Sequence, residues 1–307
     1  MKTCLDYIAY LAVRGLFWLL SLMSQRARVV LFGGLFRLAF LLLPRVRSII
    51  LTNLAIAFPE KDERWRRSLT RRNATEMGRL IADTIRLSSL EAEWVERHVD
   101  IPILDRYIAA HAGGKGVLIA TGHLGSFELL GHAIGLVGHP LAAIARRFKS
   151  RRFDTWWTEL REARGNRIID RAGAFKEMIR AIESGTSVAM LFDQNVKINH
   201  AVFVDWFGKS AATTRAFALA VIKTRAPVFV ASIRYVGDDR YVVDAHECDF
   251  RAALDDASVS DEDRIEIITQ EISRRYCDMI RAFPEGWFWL HRRWKTRPEG
   301  QAERVYR

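Results

Sequence analysis

Two apolar runs open the chain, residues 5–23 (LDYIAYLAVRGLFWLLSLM) and 29–44 (VVLFGGLFRLAFLLLP), each interrupted by one arginine, Arg14 and Arg37. Neither reaches the roughly 18 uncharged apolar residues that make a confident spanning helix. No small-residue cleavage site follows the first run, and the second comes straight after it, which argues against a cleavable signal peptide. The pattern predicts N-terminal membrane-associated helices: one weak span, or a hairpin dipping into one leaflet, with Arg26, Arg28, Arg45 and Arg47 holding headgroups. Burial of both runs as core helices is the competing reading. No later stretch reads as a span, so the rest of the chain is a peripheral body, and the basic flanks favour the cytoplasmic face.

Beyond Pro44 the pattern is helical to about Leu90, with Pro59 and the cluster 60–63 reading as a turn that opens a helix. From about residue 115 short apolar runs alternate with helix-length stretches. GVLIAT (116–121), LAAIA (141–145), SVAMLFD (187–193), PVFVASIRY (227–235) and RYVVDAHE (240–247) predict strands; 126–137, 151–164, 173–184, 213–225 and 261–283 predict helices. That order predicts an α/β fold with a mixed, mostly parallel sheet flanked by helices. The expected organisation is an appendage over residues 1–47 and one domain over 48–307, with no internal repeat or Gly/Ser/Pro-rich linker.

Charge changes the picture next. The net charge of +11 points to anionic partners such as lipid headgroups, phosphorylated substrates, an acidic carrier or nucleic acid. No nucleic-acid-binding module is visible, and the apolar N-terminus argues against that partner. Cys4, Cys248 and Cys277 give neither a disulfide framework nor a zinc spacing, so a reduced compartment is expected. The remaining histidines show no ligand pairing, and no catalytic metal is expected.

One segment carries candidate chemistry: GVLIATGHLGSFELL (116–130), an apolar run, a Gly-His-x-Gly turn and a helical stretch. On a continuous helix His123 and Glu128 would stand about 140° apart. They converge if His123 lies in the turn and Glu128 in the first helical turn, with Gly122 and Gly125 permitting the bend and Ser126 as N-cap. In that geometry Glu128 accepts the imidazole Nδ1–H and Nε2 is free to remove a proton from a hydroxyl. Direct attack of that hydroxyl on an activated acyl group needs no Ser or Cys nucleophile. Taken alone, a His-x4-Glu spacing is weak.

Several collinear segments resemble the bacterial lipid A biosynthesis acyltransferases of the lysophospholipid acyltransferase superfamily. They are NLAIAFPE (53–60), GHLGSFE (122–128), IARRFKSRRFD (144–154), REARGN (161–166), LFDQN (191–195), VFVDWFGKSAATTRAFALAVIKTRAPV (202–228) and PEGWFWLHRRWKTRP (284–298). Together they cover nearly the whole chain. Ser126 and Phe127 stand where the family has Asn and Trp, which keeps the dyad but puts the acceptor pocket in doubt; Trp206 before Phe207-Gly208 is a further departure.

The resemblance implies a glycerolipid acyltransferase-like fold and an acyl carrier protein thioester as co-substrate, with no other cofactor. The acceptor it implies is a hydroxyl of a lipid A precursor. It places the enzyme at the bacterial inner membrane with the catalytic domain on the cytoplasmic face. His123 and Glu128 would be catalytic. Arg146, Arg164, Asp193 and Gln194 would bind substrate, the last two also lying at a strand end, the usual edge for an α/β site. Arg146 and Arg164 could instead be solvated arginines, and Asp193 a turn cap. Trp287, Trp289 and Trp294 are expected to pack, with Arg292, Arg293 and Lys295 meeting headgroups. Phe127, Phe148, Phe192 and Trp206 are candidates to limit acyl chain length. A different glycolipid, ornithine lipid or lysophospholipid acceptor is the alternative. A non-enzymatic basic membrane-binding protein is the alternative of another class.

Overall fold

The computed structural model describes residues 2–301 and 304–306 and, of these, the side chains from Leu5 onward, so the side chain of Cys4 lies outside the described residues. Helices α1 (Lys2–Ser21), α2 (Gln25–Leu42), α3 (Pro44–Ala57) and α4 (Glu63–Arg86) come first. There follow α5 (Ala92–His98), β1 (Val99–Asp100), α6 (Leu104–His111), β2 (Leu118–Thr121), α7 (Phe127–Leu136), β3 (Ala142–Ala145), α8 (Arg151–Glu162), β4 (Arg167–Asp170), α9 (Ala174–Glu183) and β5 (Val188–Leu191). The chain continues through β6 (Ala201–Trp206), β7 (Lys209–Thr214), α10 (Ala216–Thr224), β8 (Val228–Gly237), β9 (Arg240–Cys248), α11 (Arg251–Asp255) and α12 (Asp261–Ala282). Side-chain caps start several helices. Asp62 accepts from the Trp65 amide at 2.7 Å, Ser150 from Phe153 and Ser260 from Asp263.

Seven strands form one sheet in the order β1-β9-β8-β2-β5-β3-β4. All neighbours are parallel except the β8–β9 hairpin, which gives the α/β class and mixed sheet expected from the sequence. Alternation along the central strands feeds two cores. Leu118 and Ala120 of β2 and Val228 and Val230 of β8 face one, with α9, α10 and α12; Ile119, Phe229, Ala231 and Ile233 face the other, with α5, α6 and α7.

Two elements depart from the sequence reading. RIID (167–170) is the edge strand β4, and 201–214 is a β6–β7 hairpin, so the helix expected from 213 begins at Ala216. Phe207 and Gly208, both at positive φ (58° and 77°), make its two-residue turn.

The N-terminal helices only partly join this body. Along α1 and the outer side of α2 large apolar residues are exposed, among them Ile8, Leu16, Leu19, Leu35, Leu38 and Leu41. No single described helix is long and apolar enough to cross a membrane; α2 and α3 pass only as a pair bent by 96°. The other side of α2 packs on α4, their backbones meeting at Gly33 and Gly78. Position 47 falls within α3, which buries Ile50 and Leu54 in the main core. Arg28, expected at headgroups, is instead buried at 6% exposure.

The C-terminal segment is a strap through the core. Trp287, Trp289 and Trp294 are buried. Asn53 Nδ2 donates to the Trp289 and His291 carbonyls, and Asn73 Nδ2 to those of Glu285 and Trp287. Arg293 does not meet headgroups: it is fully buried, donates to the Ala212 carbonyl and Thr213 hydroxyl, and stacks over Trp206. Arg292 and Lys295 are exposed.

Candidate active site

β2 and β5 are parallel neighbours with Thr121 opposite Leu191. Two residues past each strand end, that register brings His123 to Asp193. The Asp193 carboxylate accepts from His123 Nδ1 at 2.8 Å and from the His123 backbone amide at 2.9 Å. Trp287 Nε1 donates to the same carboxylate at 2.8 Å. Glycine is required twice in this turn. A Cβ on Gly122 would lie 2.5 Å from the Tyr276 hydroxyl and 2.6 Å from the Asp193 carboxyl carbon; one on Gly125, at φ +64°, would lie 1.7 Å from the Ile233 carbonyl oxygen. The strap closes the turn, the Phe288 amide donating to the His123 carbonyl and the Gly125 amide to that of Gly286.

This corrects the expected pairing. Glu128, in the first turn of α7, does not reach Nδ1; Arg161 of α8 holds it, through Nε to Oε2 at 3.0 Å and Nη2 to Oε1. Because a carboxylate fixes Nδ1–H, the Nε2 lone pair is directed away from Asp193, and Gln194 Nε2 lies 3.3 Å from it. Ser126 occupies the N-cap position without capping the helix; its hydroxyl donates to the buried Asp83, which also accepts from Gln25 and Tyr241 and pairs with Arg86. Phe127 stands edge-on to the imidazole at 5.0 Å between ring centres.

Electrostatics follow from these contacts. Burial pushes the Asp193 carboxyl upward, but the His123 charge and the hydrogen bonds from His123 and Trp287 outweigh it and hold the group at about 2. Burial pushes His123 down, yet the Asp193 charge and hydrogen bond, with Glu128 adding to them, raise it above its ordinary 6.5. The pair is a base with a fixed tautomer and a stabilised imidazolium, an arrangement able to take a proton from a hydroxyl.

The site opens on a cavity of about 690 Å³ between the sheet and the α5–α7 layer. Ile119, Leu141, Ala189, Phe229 and Ala231 line its sheet side, Tyr107, Leu130 and Ile134 the opposite wall. His123, Glu128, Arg161 and Gln194 lie at the polar end, and Arg146, Lys149 and Arg171 form an exposed basic rim. Phe127, Phe148 and Phe192 also line it; Trp206 packs in the other core against Phe192, Tyr276 and Trp287.

The structure therefore brings His123, Glu128, Asp193 and Gln194 together with Arg146 at the rim. Arg164 is not among them: its guanidinium donates to the Leu90 carbonyl and to Glu91, tying the α8–β4 turn to α5. Residues that sequence reasoning missed are Arg161, Trp287 and His291, whose Nε2 accepts from the Asn195 amide at 2.8 Å. All three lie in the segments that carry the family resemblance, but nothing in their spacing marks them.

The family model described as bacterial lipid A biosynthesis acyltransferase matches residues 2–296. The lipid A biosynthesis lauroyltransferase of Escherichia coli (strain K12) is 26% identical over 295 residues, 94% of this chain and 92% of the relative. The palmitoleoyltransferase of the same organism is 25% identical over 263 residues, 85% and 82% of the two chains. The phosphatidylinositol mannoside acyltransferase of Mycolicibacterium smegmatis is 21% identical over 230 residues, 74% and 72%.

Proposed function

Because the chain belongs to the family of bacterial lipid A biosynthesis acyltransferases, we propose that it moves a fatty acyl chain from an acyl carrier protein thioester to a hydroxyl of a lipid A precursor. The observation that carries the reading is the His123–Asp193 pair at the polar end of a largely apolar cavity. A volume of about 690 Å³ lies within the usual range of small-molecule pockets, about 300–1,000 Å³. Its apolar walls suit an alkyl chain.

In the proposed step His123 Nε2 removes the proton from the acceptor hydroxyl as its oxygen attacks the thioester carbonyl carbon. Asp193 stabilises the imidazolium so formed. The tetrahedral oxyanion collapses by breaking the C–S bond, and the imidazolium returns its proton to the departing thiolate. The Gln194 amide and the Arg161 guanidinium, both at this end of the cavity, are the donors we assign to the developing oxyanion. Glu128 holds Arg161 in place. The basic rim of Arg146, Lys149 and Arg171 suits an acidic carrier or a phosphorylated saccharide.

Membrane association completes the proposal. The exposed apolar faces of α1 and α2 would lie in the interface of the inner membrane, from its cytoplasmic side. Phe17 of α1 packs edge-on against Trp156 of α8 at 5.1 Å, and Arg161 of α8 lines the cavity. A lipid acceptor could then reach the polar end without leaving the bilayer surface.

The test is transfer by the purified full chain, using a panel of acyl carrier protein thioesters and a tetra-acylated lipid A precursor, with products read by mass spectrometry. Transfer abolished by His123→Ala with folding intact is the expected result. Absence of transfer from any donor by a well-folded chain would refute the assignment.

A further inference from the structure

A second polar pocket lies on the outer side of the α2–α4 contact. It is open, about 260 Å³, and lined by Arg37, Ser68, Arg71, Arg72, Thr75, Glu76 and Glu285. Ser68, Arg71, Arg72 and Thr75 are spaced i, i+3, i+4 and i+7, so α4 presents them on one face. Arg37 meets them from α2, Nη2 donating to Thr75 Oγ1 at 2.8 Å.

The carboxylates do not neutralise this cluster. Arg79 takes Glu76 at 3.2 Å, and Glu285 stands 3.9 Å from Arg72, which also donates to Ser68. Among the described residues Arg37 and Arg71 have no ion pair. Arg37 is also placed where a charge needs explaining. It is exposed on an apolar helix, at the seam between two faces. Val30, Gly34, Leu38 and Leu41 lie on its exposed side, and Gly33 and Phe40 are buried on the other. With Leu38 and Leu41 in hydrocarbon, as the proposed membrane association places them, the Arg37 guanidinium would reach the headgroup layer, where an anion can pair with it.

We infer that the α2–α4 pocket binds the phosphate of an anionic membrane lipid. Two guanidiniums and the Thr75 and Ser68 hydroxyls converge as donors to its oxygens, and the apolar stripe of α2 lies alongside its acyl chains. The site is separate from the catalytic cavity and shares no lining residue with it.

Calorimetric titration of the full chain in non-ionic detergent tests this, with dihexanoyl phosphatidylglycerol, dihexanoyl phosphatidylcholine and inorganic phosphate as probes. The expected result is near one-to-one binding of phosphatidylglycerol, at least about tenfold tighter than either other probe. In the double variant Arg37→Gln/Arg71→Gln that binding weakens at least about tenfold, the scale of losing one charge-assisted contact. In the control Lys176→Gln/Arg180→Gln, which removes the same charge from exposed α9 positions, it changes less than about twofold. Should the pocket variant fail to fold, Thr75→Val replaces it and weakens binding several-fold. Equal binding of the neutral lipid, equal binding by pocket variant and wild type, or equal loss in the control pair overturns the proposal. Equally tight binding of inorganic phosphate would make it a free-phosphate site and overturn the lipid reading.

Discussion

Replacing Asp193 by asparagine removes one charge and almost no volume from beneath His123. The carboxylate accepts three hydrogen bonds, from His123 Nδ1 at 2.8 Å, the His123 amide at 2.9 Å and the Trp287 indole at 2.8 Å. An amide offers one oxygen to those donors and turns an NH₂ on the rest. The imidazolium formed when Nε2 takes a proton therefore loses its counter-charge and a charge-assisted hydrogen bond, which contributes about 1.5–3 kcal/mol. With the Coulomb attraction added, a loss of about 3–5 kcal/mol in the transition state lowers turnover about 10²–10⁴-fold. The same substitution in a Ser-His-Asp triad costs about 10⁴. Mispaired donors around the amide cost a further ~1–3 kcal/mol of folding stability, so thermal unfolding must accompany the kinetics.

The pH profile separates this from a structural effect. His123 must be neutral to act as a base, and its folded pKa is raised above 6.5, so the acid limb of turnover lies above 6.5 in the wild type. In Asp193→Asn, burial still pushes the imidazole down while the main opposing charge is gone, and the acid limb moves to lower pH. Glu128→Gln should move the limb less, because Glu128 is the smallest of the four contributions at His123. Turnover by Asp193→Asn within about threefold of wild type, or a larger shift from Glu128→Gln, would refute the assignment of Asp193 as the orienting group.

Three further outcomes are expected. Gly125→Ala forces a Cβ to within 1.7 Å of the Ile233 carbonyl in a left-handed backbone, so transfer should fall by at least tenfold and unfolding should shift by a few kcal/mol; wild-type kinetics would show that the turn is not needed. Asn73→Ala unties the Glu285 and Trp287 carbonyls from α4 and should cost about 2 kcal/mol in urea unfolding, with altered tryptophan fluorescence as the strap loosens. Burial, then nearby Arg164, hold the buried His132 neutral, its pKa pushed down to about 4 from 6.5. The unfolded chain therefore binds the extra proton first, and stability falls as pH drops from about 6.5 to 4, by on the order of 3 kcal/mol. His132→Leu should flatten that part of the stability curve, and an unchanged slope would count against it.

Much of the fold was legible because strands covered on both faces are nearly continuous apolar runs. LIAT, VAML and VFVAS could hardly pack otherwise. The misses have physical causes. β4 is an edge strand with Arg167 and Asp170 at its ends, so its apolar run is only two residues long. In β7 small and polar side chains (KSAATT) hide a strand whose buried residues are alanines and a threonine. The glycine-flanked turn made His123 visible, and the strand end made Asp193 visible. Their contact spans 70 positions and depends on β5 lying beside β2 although β3 and β4 come between them in the chain. That crossover is set by packing of all the helices at once, and no local pattern states it.

The fate of Glu128 shows why spacing misled while residue choice did not. A carboxylate in the first helical turn after a Gly-His-x-Gly bend is close to the imidazole, but closeness does not choose a partner. On the buried side of the ring only a carboxylate whose burial cost is offset by its partners can stand, and Asp193 meets that condition because three N–H donors surround it. Glu128 lies on the cavity side, where Arg161 offers two donors in the fork that fits a carboxylate. The imidazole is thus flanked by two carboxylates with separate tasks: Asp193 fixes the tautomer, and Glu128 anchors the Arg161 guanidinium at the polar end of the cavity. A His-x4-Glu spacing records the second relation, and a strand-end Asp-Gln the first. Reading either motif alone assigns both tasks to one residue.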